Sequence, residues 1–146
     1  MRTLLVAVLL APAAASQVPL PDGPSRKTVE KLCSGCHGVA ILLAPRRTRE
    51  AWRKSVDQMA ALGVEGTDEE FDSIVDYLVR HFGKINVNRA SAKELQEVLD
   101  LTPGEAAALV RHRQASGDFK QMEDLRKAAG LDAKKLAACR DRVLFR

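Results

Sequence analysis

The sequence predicts an all-α protein, and three observations carry that prediction. Sustained alternation of apolar and polar residues is missing, and only residues 85–87 look briefly β-like. Helix starts are marked by capping boxes, in which a Ser or Thr stands three residues before a Glu. They begin at Thr67, Ser91 and Thr102. Helix ends are marked by glycines that can take a left-handed turn, at Gly83, Gly117 and Gly130.

These signals place helices along the whole chain, taken in order. The first two flank Pro45, and the second carries apolar residues at helical spacing. The third, fourth and fifth begin at the capping boxes, and Pro103 starts the fifth, where its missing N–H costs nothing. In the last helix, Leu136, Cys139 and Val143 recur at helical spacing. The predicted ranges are 25–35, 49–62, 68–82, 92–100, 103–115, 122–129 and 133–141.

The first 16 residues have the features of a secretory signal peptide. Arg2 lies near the start, an apolar run follows over 4–11, and small residues occupy 13–16. The apolar run is shorter than the ~20 residues that span a bilayer. We therefore expect cleavage near Ala15 to Gln17 and a periplasmic or otherwise exported protein without a stable membrane span. An uncleaved membrane anchor is the alternative.

Charge divides the chain into two unequal halves. Residues 1–83 carry ten Lys and Arg against ten Asp and Glu, whereas residues 84–146 carry thirteen against nine. The whole formal net charge of +4 therefore lies in the second half. Two small domains are within the usual range of domain sizes. We predict domains at 17–83 and 84–146, and we expect an acidic partner to dock on the second.

A Cys-x-x-Cys-His motif is formed by Cys33, Cys36 and His37, in a chain with only three cysteines and three histidines. In an exported protein this order is the signature of covalent c-type haem attachment. Each thiol forms a thioether to the haem, and the histidine binds the iron. We predict one covalent haem c, with Cys33 and Cys36 as its attachment residues and His37 as the proximal iron ligand.

Other uses of the motif fit the sequence less well. A zinc site needs four ligands, and the remaining cysteine, Cys139, lies about a hundred residues away. A redox disulfide normally sits at a helix start after a strand, whereas this pair follows a predicted helix. Cys139 itself is predicted to be a small buried hydrophobe, with pairing between chains as the alternative.

The sixth position on the iron has two candidate ligands, Met59 and His81. Met59 is the only methionine between the motif and the end of the first half. It also recurs at helical spacing with Trp52 and Val56, which is typical of core packing. His81 lies in the last turn of the third predicted helix, where a cation is favourable. The residues alone leave these alternatives open.

The first half resembles a small monohaem cytochrome c over residues 24–83. The resemblance rests on C-S-G-C-H, then W-x-x-x-V-x-x-M with a glycine shortly after, then T-D-E-E-F-x-x-I-V-D-Y-L. It implies that Met59 is the distal iron ligand. It also implies an electron carrier that meets a redox partner protein and is not an enzyme, although a catalytic or gas-binding haem with an open iron site is an alternative.

The second half resembles the tandem helix-hairpin-helix domain of ComEA-type DNA-uptake proteins. The resemblance covers residues 85–146 and rests on I-N-V-N-R-A-S-A-K-E-L, V-R-H-R-Q-A-S-G-D-F and M-E-D-L-R-K-A-A-G-L-D-A-K-K-L. It implies that two hairpins bind DNA phosphates. Glu105 and Asp132 stand at the expected hairpins, 101–105 and 129–132, and each acid repels phosphate. We therefore expect weak non-specific DNA binding through residues 84–146, or a protein-docking role.

The sequence thus predicts a small haem c-binding helical domain followed by a compact tandem helix-hairpin-helix domain. The expected function is electron transfer by an exported c-type cytochrome that carries a helical docking module. The alternative is a periplasmic DNA-binding or DNA-uptake protein of ComEA type, in which the haem is structural or sensory.

Overall fold

The computed structural model describes residues 19–35, 37–39, 41 and 46–146. The predicted signal peptide, 1–16, and the predicted attachment residue Cys36 lie outside these residues. Within them the fold is mostly helical, so the all-α prediction is confirmed. The helices are α1 (Arg26–Cys33), α2 (Arg49–Ala61), α3 (Asp68–Phe82), α4 (Ala92–Leu99), α5 (Pro103–Ser116), α6 (Met122–Ala129) and α7 (Ala133–Cys139).

Local capping explains why the predicted helix starts agree with the structure. Thr67, Ser91 and Thr102 each accept a hydrogen bond from the backbone N–H three residues later, and the Glu at that position bonds back. These reciprocal bonds satisfy backbone donors that a helix start otherwise leaves unpaired. The three predicted capping boxes are therefore confirmed.

A two-stranded parallel sheet joins the beginning and the end of the second half. Strand β1 (Ile85–Asn86) pairs with β2 (Val143–Leu144), with Ile85 opposite Val143. A short 3-10 helix, Arg140–Arg142, leads from α7 into β2. The sequence indicated only the first strand, because a strand of two residues is too short to show an alternation of apolar and polar residues.

The three glycines that were expected to end helices do so in different ways. Gly117 ends α5 with a positive φ of 87° but an extended ψ of −174°. Gly130 is left-handed, with φ of 64° and ψ of 29°, so the left-handed expectation is confirmed for it. For Gly83 it was wrong, since its φ is −81°. A Cβ at Gly83 would lie 2.1 Å from the Val79 carbonyl oxygen, so close backbone approach explains this glycine.

One cluster of buried residues runs from the first half into the second. Val29 and Val75 are completely buried in the first half, and Leu95 and Leu109 in the second. Phe82 and Ile85 belong to the same cluster, at the chain position where the halves meet. Apolar burial of this kind is the main favourable contribution to folding.

Residues just before α2 also contact the segment that links the halves. The Arg47 N–H donates to the Phe82 carbonyl at 3.1 Å, and the Lys84 N–H donates to the Arg47 carbonyl at 2.8 Å. The Trp52 indole N–H donates to the same Phe82 oxygen at 3.1 Å. The start of α2 is therefore fixed against the end of α3. Across residues 19–35, 37–39, 41 and 46–146, no helix is long and apolar enough to cross a membrane.

Candidate functional site

The turn between α4 and α5 has three structural parts. Asp100 adopts a left-handed conformation with φ of 54°, which ends α4. Leu101 then turns inward and is buried. Thr102 caps α5, whose first residue is Pro103.

The turn between α6 and α7 repeats this arrangement. Gly130 is left-handed, and Leu131 is buried. Asp132 caps α7 by accepting a hydrogen bond from the Lys135 N–H at 2.7 Å. The two turns are therefore equivalent, with Asp100 in the place of Gly130 and Thr102 in the place of Asp132.

This equivalence corrects the predicted first hairpin, 101–105. The one glycine within 101–105, Gly104, is not at the turn, because it lies within α5 and a Cβ there would meet nothing within 4 Å. The left-handed residue is Asp100, which lies just before the predicted range. Aspartate tolerates this conformation better than most residues, but an Asp alone is a weak signal for it, whereas a glycine is a strong one.

An ion pair connects the two hairpin helices at their starts. Lys135 Nζ lies 2.5 Å from Glu105 Oε2, and each residue is the third of its helix. Burial by itself would raise the pKa of Glu105, but hydrogen bonds from Lys135 and Thr102 lower it overall. The pair therefore holds the beginnings of α5 and α7 side by side.

A second ion pair links the first turn to the 3-10 helix that follows α7. Arg142 Nη1 lies 2.7 Å from Asp100 Oδ2 and donates to the Val98 carbonyl at 3.1 Å. Both acids near the first hairpin are thus countered by cations that follow the second. Lys134 and Arg140 are exposed and form no ion pair with any described residue.

The Cys-x-x-Cys-His motif begins at the end of α1. Cys33 is the last residue of that helix and is partly buried, which raises the pKa of its thiol. His37 is exposed, and its Nδ1 lies 3.4 Å from the Gly38 carbonyl oxygen. The imidazole of His37 is therefore accessible from the surface.

The end of α1 lies against the connection between α2 and α3. A Cβ at Gly66 would meet the Leu32 side chain at 3.0 Å, and Lys31 Nζ lies 3.0 Å from Glu70 Oε1. Met59 lies in the last turn of α2, where this connection begins, and its carbonyl accepts the Val64 N–H. The connection is thus bordered by the motif-bearing end of α1 and by the helix turn that carries Met59.

Met59 is 37% exposed, so the core-packing interpretation does not hold for it. Trp52 and Val56 are buried, but Leu62, which follows Met59 at helical spacing, is 80% exposed. The apolar face of α2 therefore packs against the core only over the first two turns of the helix. Whether Met59 binds iron stays a prediction.

His81 has a different environment. Its ring packs against Tyr77 with centroids 4.5 Å apart, and its Nε2 is buried without a hydrogen-bond partner among the described residues. A Cβ at Gly23 would lie 3.1 Å from that nitrogen. Burial, followed by the charge of Arg80, lowers the pKa of His81. Protonation is therefore unfavourable here.

The arginines at the start of α2 are mostly engaged within the molecule. Arg46 pairs with Asp141 at 2.5 Å and donates to the His81 carbonyl at 2.8 Å. Arg49 pairs with Asp76 at 2.7 Å and approaches Glu97 at 3.8 Å. These arginines therefore tie the two halves together. Among the described residues, no group of three or more His, Cys, Asp or Glu could hold a metal ion.

Comparison with known proteins assigns the second half. The family model of the helix-hairpin-helix motif matches residues 80–144. ComE operon protein 1 of Bacillus subtilis is 34% identical over 50 residues, which are 34% of this chain and 24% of that protein. An uncharacterized protein of Haemophilus influenzae is 35% identical over 63 residues, which are 42% of this chain and 56% of that protein.

The chain therefore spans about a quarter of the first relative and just over half of the second. No solved structure matches it. The matched range begins in the last turns of α3 and ends in β2, and it includes both equivalent turns. Residues 80–144 thus carry the helix-hairpin-helix motif.

Proposed function

We propose that this chain is an exported DNA-binding protein of ComEA type, which holds DNA without sequence preference through residues 84–146. The observation that carries the proposal is the contact between Lys135 and Glu105. It shows that the starts of both hairpin helices lie side by side, so that the two turns can meet one nucleic acid. The match to the helix-hairpin-helix motif supports the same function. DNA binding of this kind requires no catalytic step.

Charge supports DNA as the partner. The formal excess of +4 belongs entirely to residues 84–146. Lys134 is exposed at the start of α7, next to the second turn, and Arg140 is exposed directly after that helix. Cations placed in this way neutralise phosphates and release counterions, which gives binding that is independent of sequence and sensitive to salt.

The test is a titration of the chain without its first 16 residues against duplex DNA over a series of salt concentrations. We expect non-specific affinity that falls with salt, with a slope of about 0.9 per phosphate contacted. The double variant Lys134→Ala/Arg140→Ala should lower that slope by about two contacts. Lys27→Ala/Lys54→Ala removes two exposed cations of the first half and is the matched control. Equal affinity of both double variants would contradict the proposal.

We also propose a second function, electron transfer by a covalent haem c in the first half. The observation that favours it is the position of the exposed apolar side chains. Among the described residues, the large exposed hydrophobics are Ile41, Met59 and Leu62, all within 25 positions after the motif. A haem needs an apolar surface of this kind, and burying it would contribute about 25 cal/mol per Å².

The proposed residues have separate roles. Cys33 and Cys36 would hold the macrocycle by thioethers, and His37 and Met59 would be the ligands of its iron. When bound, the haem supplies one-electron chemistry, and a methionine ligand favours a relatively high reduction potential. A redox protein would then be the partner, whereas in a DNA-binding protein the same haem would be structural or sensory.

Covalent attachment can be tested independently of DNA. We expect haem to stay with the polypeptide through acid and organic extraction after export alongside the haem-attachment machinery. Cys33→Ala/Cys36→Ala should lose it, because no thioether can form. Cys139→Ala is the control, since that buried cysteine lies in α7. A colourless wild-type protein would contradict the proposal.

A further inference from the structure

We infer that Glu105 limits how tightly this chain grips DNA, because its carboxylate occupies Lys135, which would otherwise meet a phosphate. The inference rests on the proposed DNA binding of the same hairpins. Glu105 would then set the affinity of the hairpins for DNA, besides its role in the capping box of α5.

The carboxylate is fixed in place by its local role. Glu105 Oε2 accepts the Thr102 N–H at 2.7 Å and the Thr102 hydroxyl at 3.0 Å, besides the Lys135 ammonium at 2.5 Å. A carboxylate held by a capping box cannot swing away without exposing the backbone donor that it satisfies. Lys135 is therefore countered by an acid of fixed position.

Partial burial strengthens the ion pair between Lys135 and Glu105. The side chains of Lys135 and Glu105 are 27% and 22% exposed, so water screens them less than a fully exposed pair. A phosphate that approaches Lys135 meets the negative charge of Glu105 at the same place. Removing the charge of Glu105 frees Lys135 to meet a phosphate. It also removes the repulsion between Glu105 and that phosphate.

The neighbouring pair of Asp100 and Arg142 is a weaker competitor of the same kind. Asp100 is the C-cap residue of α4, but its side chain is 65% exposed and is not held by a capping box. An exposed pair of this kind contributes little. We therefore place the main limit on Glu105 and expect only a small effect from Asp100→Asn.

Glu94 provides the matched control. It is the third residue of α4 and forms the same capping box, with its Oε2 2.8 Å from both the Ser91 nitrogen and the Ser91 hydroxyl. It forms no ion pair with any described residue. It also lies at the end of α4 that is farther from the first hairpin. Glutamine satisfies a capping box as glutamate does, so both Gln variants should keep their helix starts.

The experiment compares Glu105→Gln, Glu94→Gln and the wild type in the full chain, titrated with the same duplex DNA over a salt series. We expect Glu105→Gln to bind on the order of fivefold tighter at low salt and its salt slope to steepen by about 0.9. Glu94→Gln should match the wild type. Most of the gain should disappear in Glu105→Gln/Lys135→Ala, because Lys135 is the cation that is released.

The outcomes separate this inference from the proposed function. If the wild type binds DNA and Glu105→Gln binds equally, the inference is wrong and the DNA-binding proposal stands. Persistence of the gain in the double variant would overturn the role of Lys135. If neither the wild type nor any variant binds DNA at low salt, the DNA-binding proposal itself fails, and the inference fails with it.

Discussion

Asn88 and Phe119 exchange two hydrogen bonds in the core of the second half. The Phe119 N–H donates to Asn88 Oδ1 at 2.8 Å, and Asn88 Nδ2 donates to the Phe119 carbonyl at 2.9 Å. The same Nδ2 donates to the Phe145 carbonyl at 2.9 Å. Asn88 is only 7% exposed. One buried amide thus joins the segment after β1, the connection between α5 and α6, and the C-terminal segment.

Asn88→Ala should therefore destabilise the protein strongly. The substitution leaves a buried N–H and two carbonyls without their partner, and each such loss costs about 1–3 kcal/mol. We expect the free energy of unfolding to fall by about 3 kcal/mol or more, measured by denaturant unfolding. Gln114→Ala, at an exposed position of α5, is the control. A change below about 0.5 kcal/mol, the usual surface effect, would show that these hydrogen bonds contribute little.

Two glycine substitutions test the corrected turn. Gly130→Ala forces a Cβ into a left-handed conformation, which costs about 1–2 kcal/mol. Gly104→Ala, inside α5 with open space around it, should stabilise by about 0.5–1 kcal/mol. Thermal unfolding of the two variants should therefore shift in opposite directions. Destabilisation by Gly104→Ala would instead favour Gly104 as the turn residue.

His81 should make stability depend on pH between neutral and mildly acidic conditions. Burial lowers its pKa in the folded state, with Arg80 and Arg142 acting in the same direction and Asp100 opposing them. The unfolded chain therefore binds a proton first. Stability should be complete above the ordinary histidine pKa of about 6.5 and fall as the pH drops through the lower folded value.

Denaturant unfolding at pH 7.5 and pH 5.5 measures this loss. His81→Phe keeps a ring against Tyr77 but cannot be protonated, so it should lose less stability over that interval than the wild type. His112→Phe replaces a histidine that stacks on Phe119 and serves as the control. If the wild type and His81→Phe lose the same amount, His81 does not cause the dependence.

Met59 gives a prediction about the iron, on the basis of the proposed haem. If its sulfur is the distal ligand, Met59→Ala should open the iron to carbon monoxide and lower the reduction potential, while the haem stays attached. The wild type should bind carbon monoxide poorly. Absorption spectra of the reduced protein, with and without carbon monoxide, measure the change.

Leu62→Ala is the matched control for Met59→Ala, because Leu62 is an exposed apolar neighbour at the end of the same helix but carries no sulfur. Its spectrum should match that of the wild type. Strong carbon monoxide binding by the wild type itself would instead indicate an open iron site and favour a catalytic or gas-binding haem.

The sequence by itself determined the helices and three of their capping boxes. Thr102 and Glu105 are three residues apart, so the signal for the start of α5 is complete within one turn. The predicted burial of Cys139 at helical spacing is also confirmed. The roles of Cys33, Cys36, His37 and Met59 stay predictions, since they depend on a motif and a resemblance.

The tertiary structure decided which residue takes each turn and what each charge faces. Asp100 is recognised as the counterpart of Gly130 only from the backbone conformation of the two turns. The residues around an aspartate in the sequence do not show that it is left-handed. Lys135 and Glu105 are 30 residues apart, and Arg46 and Asp141 are 95 apart. Local patterns determine helices because helix capping and backbone hydrogen bonding act within a few residues. Ion pairs between distant residues depend on how the helices pack, and packing is a property of the whole chain.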